Sequence, residues 1–199
     1  MNAAQYEPIT TAGAVVMNWV NVVSRFEGFE VAVCYQLNRS AHHRLIRRSF
    51  QLISRAGDGV VWYTLMIALA TLGGQRGMVT AMSMIAAGLL SVMLYRWMKQ
   101  GFVRQRPFHS HRQISCHLPP LDQYSFPSGH TLHAVLFTVI ACHSFPSLAL
   151  VLVPLTLLIA LSRLVLGVHY PSDVLIGALI GWALAEWTIW LTRWIVGAL

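Results

Sequence analysis

Three short polar clusters interrupt an otherwise apolar chain, and their residue types could carry out phosphoryl chemistry. The first runs from Lys99 to Arg106 and Pro107, the second is Pro127-Ser128-Gly129-His130, and the third is Ser162-Arg163 followed by His169 and Asp173. Lys99, Arg106 and Arg163 are cations that would repel one another unless they shared an anion, and phosphate matches their donors. Pro127 suits the first turn of a helix. The backbone N–H groups of Ser128 and Gly129 would then point out of a helix N-terminus, a ready anion site, with the Ser128 hydroxyl as a further donor. Gly129 lets the backbone approach the anion closely. His169 and Asp173 stand four apart, with Pro171 between them placing a helix start. A carboxylate on one ring nitrogen would fix the tautomer of His169 and free the other nitrogen to attack. His130, beside the anion site, could protonate the leaving oxygen.

These clusters need elements that bring them together. The chain has 199 residues, of which 56% are hydrophobic and only 11% charged, with 7 Trp and 6 Tyr. About a quarter of a typical soluble domain is charged, so long apolar stretches here read as membrane spans. About five are expected, near residues 59–72, 78–97, 127–145, 146–166 and 171–191. That parity returns all three clusters to one membrane face. The expected fold is an all-α integral-membrane bundle, with a membrane-embedded domain over 57–199 and an N-terminal segment over 1–56. Residues 13–23 and 39–55 of that segment read as amphipathic helices on the membrane surface. No secretory signal is expected, because a basic start is missing and Glu7 and Pro8 come early. Gly177 and Gly181 form a Gly-x-x-x-Gly pattern, read as packing within the bundle rather than dimerisation; nothing in the sequence sets an oligomeric state.

The net charge of +7 fits anionic lipid or phosphate better than nucleic acid, since the bases form no continuous face with aromatics interleaved. Cys34, Cys116 and Cys142 lack metal-type spacing. His109, His111 and His117 have no carboxylate or Cys partner at ligand spacing and read as a polar loop. Asp122 reads as a loop residue.

Taken together, Lys-x6-Arg-Pro, Pro-Ser-Gly-His and Ser-Arg-x5-His-x3-Asp resemble the signature of the type-2 phosphatidic-acid phosphatase family, matching at Lys99, Arg106, Pro107, Pro127, Ser128, Gly129, His130, Ser162, Arg163, His169 and Asp173. The resemblance covers roughly residues 60–190. It implies a helical core shared with vanadium haloperoxidases, a phosphohistidine on His169 oriented by Asp173, and His130 as general acid. Lys99, Arg106, Ser128, Gly129 and Arg163 would cradle the phosphate. It also implies no metal or other cofactor, inhibition by vanadate, and a lipid phosphate as substrate. The short chain is similar to bacterial inner-membrane enzymes acting on undecaprenyl diphosphate, with phosphatidylglycerol phosphate, phosphatidic acid, lipid A phosphates and phosphotransfer to another lipid as alternatives. The resemblance puts the site on the periplasmic face. The basic stretch 39–55 points the other way, because cytoplasmic loops usually carry the excess of Lys and Arg.

Overall fold

Apolar runs bounded by Gly and Pro turn into helices joined by short breaks. The computed structural model describes the backbone of residues 11–120 and 122–197 and the side chains of 24–120 and 122–195; the expectations resting on Glu7 and Pro8 and on the side chains of 13–23 lie outside the described residues. The elements are α1 (Thr11–Ser40), α2 (Arg44–Ala56), α3 (Val60–Leu72), α4 (Gly74–Gly101), the short α5 (Pro107–Ser110), α6 (Gly129–Ser144), a 3-10 turn (Pro146–Leu148), α7 (Ala149–Val165) and α8 (Pro171–Gly197). No strand occurs among the described residues, in line with the all-α expectation.

By length and apolarity alone, fewer than five candidate spans stand out among the described residues. Three of their helical segments are long and apolar enough to cross a bilayer: α4, the 3-10 turn continued by α7, and α8. A fourth is obtained if α2 and α3 are one span bent by 45°. The reason is length. The 13 residues of α3 and 16 of α6 reach only ~20 and ~24 Å at 1.5 Å per residue, against ~30 Å of hydrocarbon. The Gly57-Asp58-Gly59 break therefore joins α3 to α2, where the sequence reading extended α3 through both ends.

The core lies between α3, α4, α6 and α7, where Trp62, Met66, Met84, Leu136, Phe137, Ile140, Leu152 and Ile159 are buried. Large apolar side chains also cover the outside, among them Leu89, Leu150, Leu157, Trp182, Trp190 and Trp194. Lipid is as apolar as these side chains, so association inside a bilayer relies on close packing and hydrogen bonds. Hydroxyl pairs stitch the helices: Thr138 to Thr156 at 2.7 Å, Thr80 to Ser144 at 2.8 Å and Ser83 to Thr192 at 3.0 Å.

The most extensive helix contact joins α6 to α8. Gly177 and Gly181 make it possible, as the Gly-x-x-x-Gly reading expected. A Cβ at Gly177 would lie 2.7 Å from the Ser128 carbonyl oxygen, and one at Gly181 would lie 2.3 Å from that of Leu132. This contact fixes the start of α6 against the start of α8, which brings the second polar cluster to the third. Because backbone cannot yield as a side chain would, Gly181→Ala should destabilise the detergent-solubilised protein by about 1–3 kcal/mol in reversible unfolding. A variant as stable as the parent would contradict so close a backbone contact.

Candidate active site

The ends of α4, α6, α7 and α8 that carry the polar clusters meet at one end of the bundle. Lys99, in the last turn of α4, and Arg163, in the last turn of α7, are buried cations. Arg106 ends the extended stretch between α4 and α5 and is also buried. Together with Gly129, His130 and His169 they line one cavity of about 730 Å³. Six of the eight residues singled out from the sequence thus share a cavity.

Asp173 lies beneath that cavity, fully buried in the first turn of α8. Its Oδ2 accepts the Tyr170 N–H at 2.8 Å and stands 3.6 Å from Nδ1 of His169. That separation is an ion-pair distance rather than a hydrogen bond. The other ring nitrogen, Nε2, is 3.3 Å from Nη1 of Arg106. Guanidinium only donates, so Nε2 accepts and the ring proton belongs on Nδ1, facing Asp173. This is the tautomer a nucleophile needs. Burial, followed by the charges of Arg106, Arg163, Lys99 and His130, pushes the His169 pKa well below the ordinary histidine value, so the ring is neutral near neutral pH.

Ser128 departs from the expectation of an anion donor. It is fully buried, its N–H donates to the Asp173 carbonyl at 3.0 Å, and its hydroxyl pairs with Thr131 at 3.0 Å. As the residue capping α6 against α8 it spends its polar groups inside the protein and does not line the cavity.

Four carboxylate and guanidinium residues outside the sequence-derived set complete the electrostatics. Asp122 accepts hydrogen bonds from Lys99 Nζ and from Arg106 Nη2, both at 2.6 Å. It occupies the cation pair that a phosphate would need. Burial works to raise its pKa, but the bonds and charges of Lys99 and Arg106 outweigh that and hold it below the usual carboxylate value. Arg104 reaches from the same stretch to Asp173 Oδ1 and to Glu30 of α1, each at 2.7 Å, and its guanidinium lies 4.1 Å over the Tyr170 ring. Glu30, itself buried, also accepts the Ser172 N–H at 2.8 Å. Asp58, from the break between α2 and α3, meets His130 Nε2 at 2.5 Å. Arg163 donates to Ser54 of α2, while its Nε is buried without a partner. The N-terminal helices thus reach the site directly. Among the described residues, no group of three His, Cys, Asp or Glu is placed to hold a metal ion.

Away from its polar end the cavity is apolar. Trp62, Met66, Ile67, Met84, Ile85 and Leu89 line it, and Ile67, Ile85 and Leu89 are also exposed on the outer face of α3 and α4. The cavity therefore joins a phosphate-sized cluster of cations to the apolar exterior.

The PAP2 superfamily pattern matches residues 76–196, more than half of the chain, and the chain belongs to that superfamily. It is 37% identical over 82 residues to phosphatidylglycerophosphatase B of Escherichia coli K12, covering 38% of this chain but only 32% of that protein, so the match spans about a third of that relative's length. It is 30% identical over 134 residues to decaprenylphosphoryl-5-phosphoribose phosphatase of Mycobacterium tuberculosis H37Rv, covering 65% of this chain and 71% of that protein. Among solved structures, Aquifex aeolicus LpxE aligns at a TM-score of 0.65 with 26% identity over 79% of this chain and 93% of that one. A transmembrane PAP2-type phosphatidylglycerolphosphate phosphatase from Bacillus subtilis shares the fold at a TM-score of 0.64 and 19% identity, over 86% and 88% of the two chains. With its long apolar helices and these transmembrane relatives, the chain is a multi-pass membrane protein.

An anion taking Lys99 and Arg106 would have to displace Asp122, so Asp122→Asn should bind inorganic phosphate more tightly. The expected change is roughly tenfold, ~1.4 kcal/mol, read from isothermal titration or from competitive inhibition. Weaker binding would mean that Asp122 orients the two cations instead of masking them.

Proposed function

We propose that this protein is a membrane-embedded phosphatase that hydrolyses a lipid mono- or diphosphate through a phosphohistidine on His169, without a metal. The observation that carries the reading is the setting of His169, whose Nε2 faces Arg106 at 3.3 Å while Nδ1 faces Asp173, in a cavity that runs from three cations to an apolar outer face. A phosphoryl group would displace Asp122 from Lys99 and Arg106 and take the free Nε donor of Arg163, with the Gly129 backbone beside it. Such fixed donors stabilise charge developing on the equatorial oxygens of the transition state.

In the first half-reaction, Nε2 of His169 forms a bond to phosphorus as the ester or anhydride P–O bond breaks. The leaving oxygen takes a proton from His130. Asp173 stabilises the cationic character that the His169 ring gains on phosphorylation. In the second half, His130 accepts a proton from water, the water oxygen attacks phosphorus, the N–P bond breaks, and free phosphate and neutral His169 are restored.

The favoured substrate is undecaprenyl diphosphate. The decaprenyl-linked relative, which aligns over the larger part of its own length, supports a polyprenyl phosphate. The relatives named for phosphatidylglycerophosphate support the alternative lipid. We assign the protein to the bacterial inner membrane, with its site toward the periplasm.

A panel of undecaprenyl diphosphate, phosphatidylglycerol phosphate, phosphatidic acid and a lipid A phosphate, with and without an acceptor lipid, tests the assignment. Phosphate release should be greatest with undecaprenyl diphosphate, be blocked by vanadate, survive a chelator, and need no acceptor. Preference for another lipid would overturn the substrate, dependence on acceptor the hydrolase reading, and chelator inhibition the metal-free mechanism. The depressed pKa of His169 also sets a pH sign. The free enzyme's nucleophile stays unprotonated as pH falls through 6.5, so kcat/KM should not decline between pH 7 and 6. A steep decline there would mean that His169 titrates like an ordinary histidine.

A further inference from the structure

Resting on that reading, we propose that Asp58 is the positioning residue of the general acid: it fixes the Nε2–H tautomer of His130 and aims Nδ1 at the leaving oxygen.

His130 has a difficult task. It must deliver a proton from a site where burial, then the charge of Arg163, favour the neutral ring even with Asp58 beside it. The ring becomes an acid only when the charge of a phosphate group offsets Arg163. Asp58 fixes which nitrogen then serves, its Oδ1 standing 2.5 Å from Nε2 of His130. A carboxylate only accepts, so Nε2 carries a proton in this contact, and Nδ1 is the nitrogen left for the substrate.

The chain around Asp58 is shaped to make that contact. Gly59 has φ = 124°, a left-handed conformation that side chains resist, and a Cβ there would sit 2.8 Å from the Tyr63 ring. A Cβ at Gly57 would press on the Ser54 carbonyl at 3.1 Å and on Ile159 at 3.2 Å, and would touch the His130 ring at 3.4 Å. The two glycines therefore let the α2–α3 break turn tightly against α6 and α7 and present the residue between them. The local alternative, an Asp capping the next helix, is not what is seen: no side chain caps the N-terminus of α3. Asp58 also lines the cavity.

In the reaction, Nδ1 of His130 takes the acidic proton of the substrate's monoanionic phosphate group and passes it to the leaving oxygen as the P–O bond breaks and the His169 N–P bond forms. The ring is left neutral, with its Nε2–H still donated to Asp58. Nδ1 then has its lone pair directed at the incoming water, whose proton it takes as the oxygen bonds to phosphorus and the N–P bond breaks, and that proton leaves with the product phosphate. Asp58 touches none of the reacting atoms and keeps one tautomer through both halves.

A merely structural role and this one differ in their dependence on the leaving group. An alkoxide leaves poorly and needs the proton, whereas 4-nitrophenolate leaves without it. Purified full-length Asp58→Asn should lose about a hundredfold or more in kcat on dodecyl phosphate, the scale of general-acid catalysis, yet less than about fivefold on 4-nitrophenyl phosphate. Asp58→Glu should recover most of the loss on dodecyl phosphate. His130→Gln should show the same split between the two esters, and Asp58→Asn combined with it should be no worse than His130→Gln alone. Equal losses on both esters in Asp58→Asn, or an additive double variant, would overturn the role of Asp58 while leaving the phosphatase reading intact. A parent enzyme that hydrolyses neither ester would overturn both.

Discussion

Three buried cations cannot share one end of a helical bundle unless negative charge comes with them, and much of the architecture follows from that constraint. Lys99, Arg106 and Arg163 arrive on α4, the 102–106 stretch and α7. Without phosphate, Asp122 bridges two of them. An unpaired buried charge is strongly destabilising, and Asp122 supplies the carboxylate that offsets Lys99 and Arg106. The same constraint acts on His169: burial, then the surrounding cations, hold its pKa well below the ordinary histidine value.

A second layer of charge holds the first in register. Arg104 reaches both Asp173 and Glu30, and Glu30 also takes the Ser172 N–H at the start of α8. Asn38 of α1 donates to the Val165 carbonyl at 3.0 Å and pairs with both backbone groups of Ser115 at 2.9 Å. Through these contacts α1 clamps the loop that carries His169 to the segment that carries Arg106. The N-terminal helices, which lie outside the family signature, are thus part of the frame of the site.

The positions in the three blocks were legible because each pairs a distinctive residue type with a fixed spacing, and because helix parity sends them to one face. Gly177 and Gly181 were legible for the same reason. The carboxylates were not. Asp58 lies 72 residues from His130 and has no local pattern, Asp122 stands in a polar loop like any solvated acid, and Glu30 falls in a surface-helix pattern. Their roles come from tertiary contacts alone. Arg104 could have been found, since it stands within the first cluster, two residues before Arg106. Ser128 misled because a helix N-terminus suggests anion binding, while the close α6–α8 packing turns its N–H toward Asp173. The span lengths were less legible, because apolar composition does not reveal where a helix begins; the Gly57-Asp58-Gly59 turn starts α3 only at Val60.

In the proposed mechanism one atom, Nε2 of His169, accepts the phosphoryl group. The most direct measurement is rapid acid-free quenching of the purified enzyme with ³²P-labelled lipid phosphate, followed by peptide mapping. The account predicts one label, stable to alkali and lost in acid, on the peptide containing His169, and absent from His169→Ala. A label on another residue, or full turnover with no phosphoenzyme and an active His169→Ala, would contradict it.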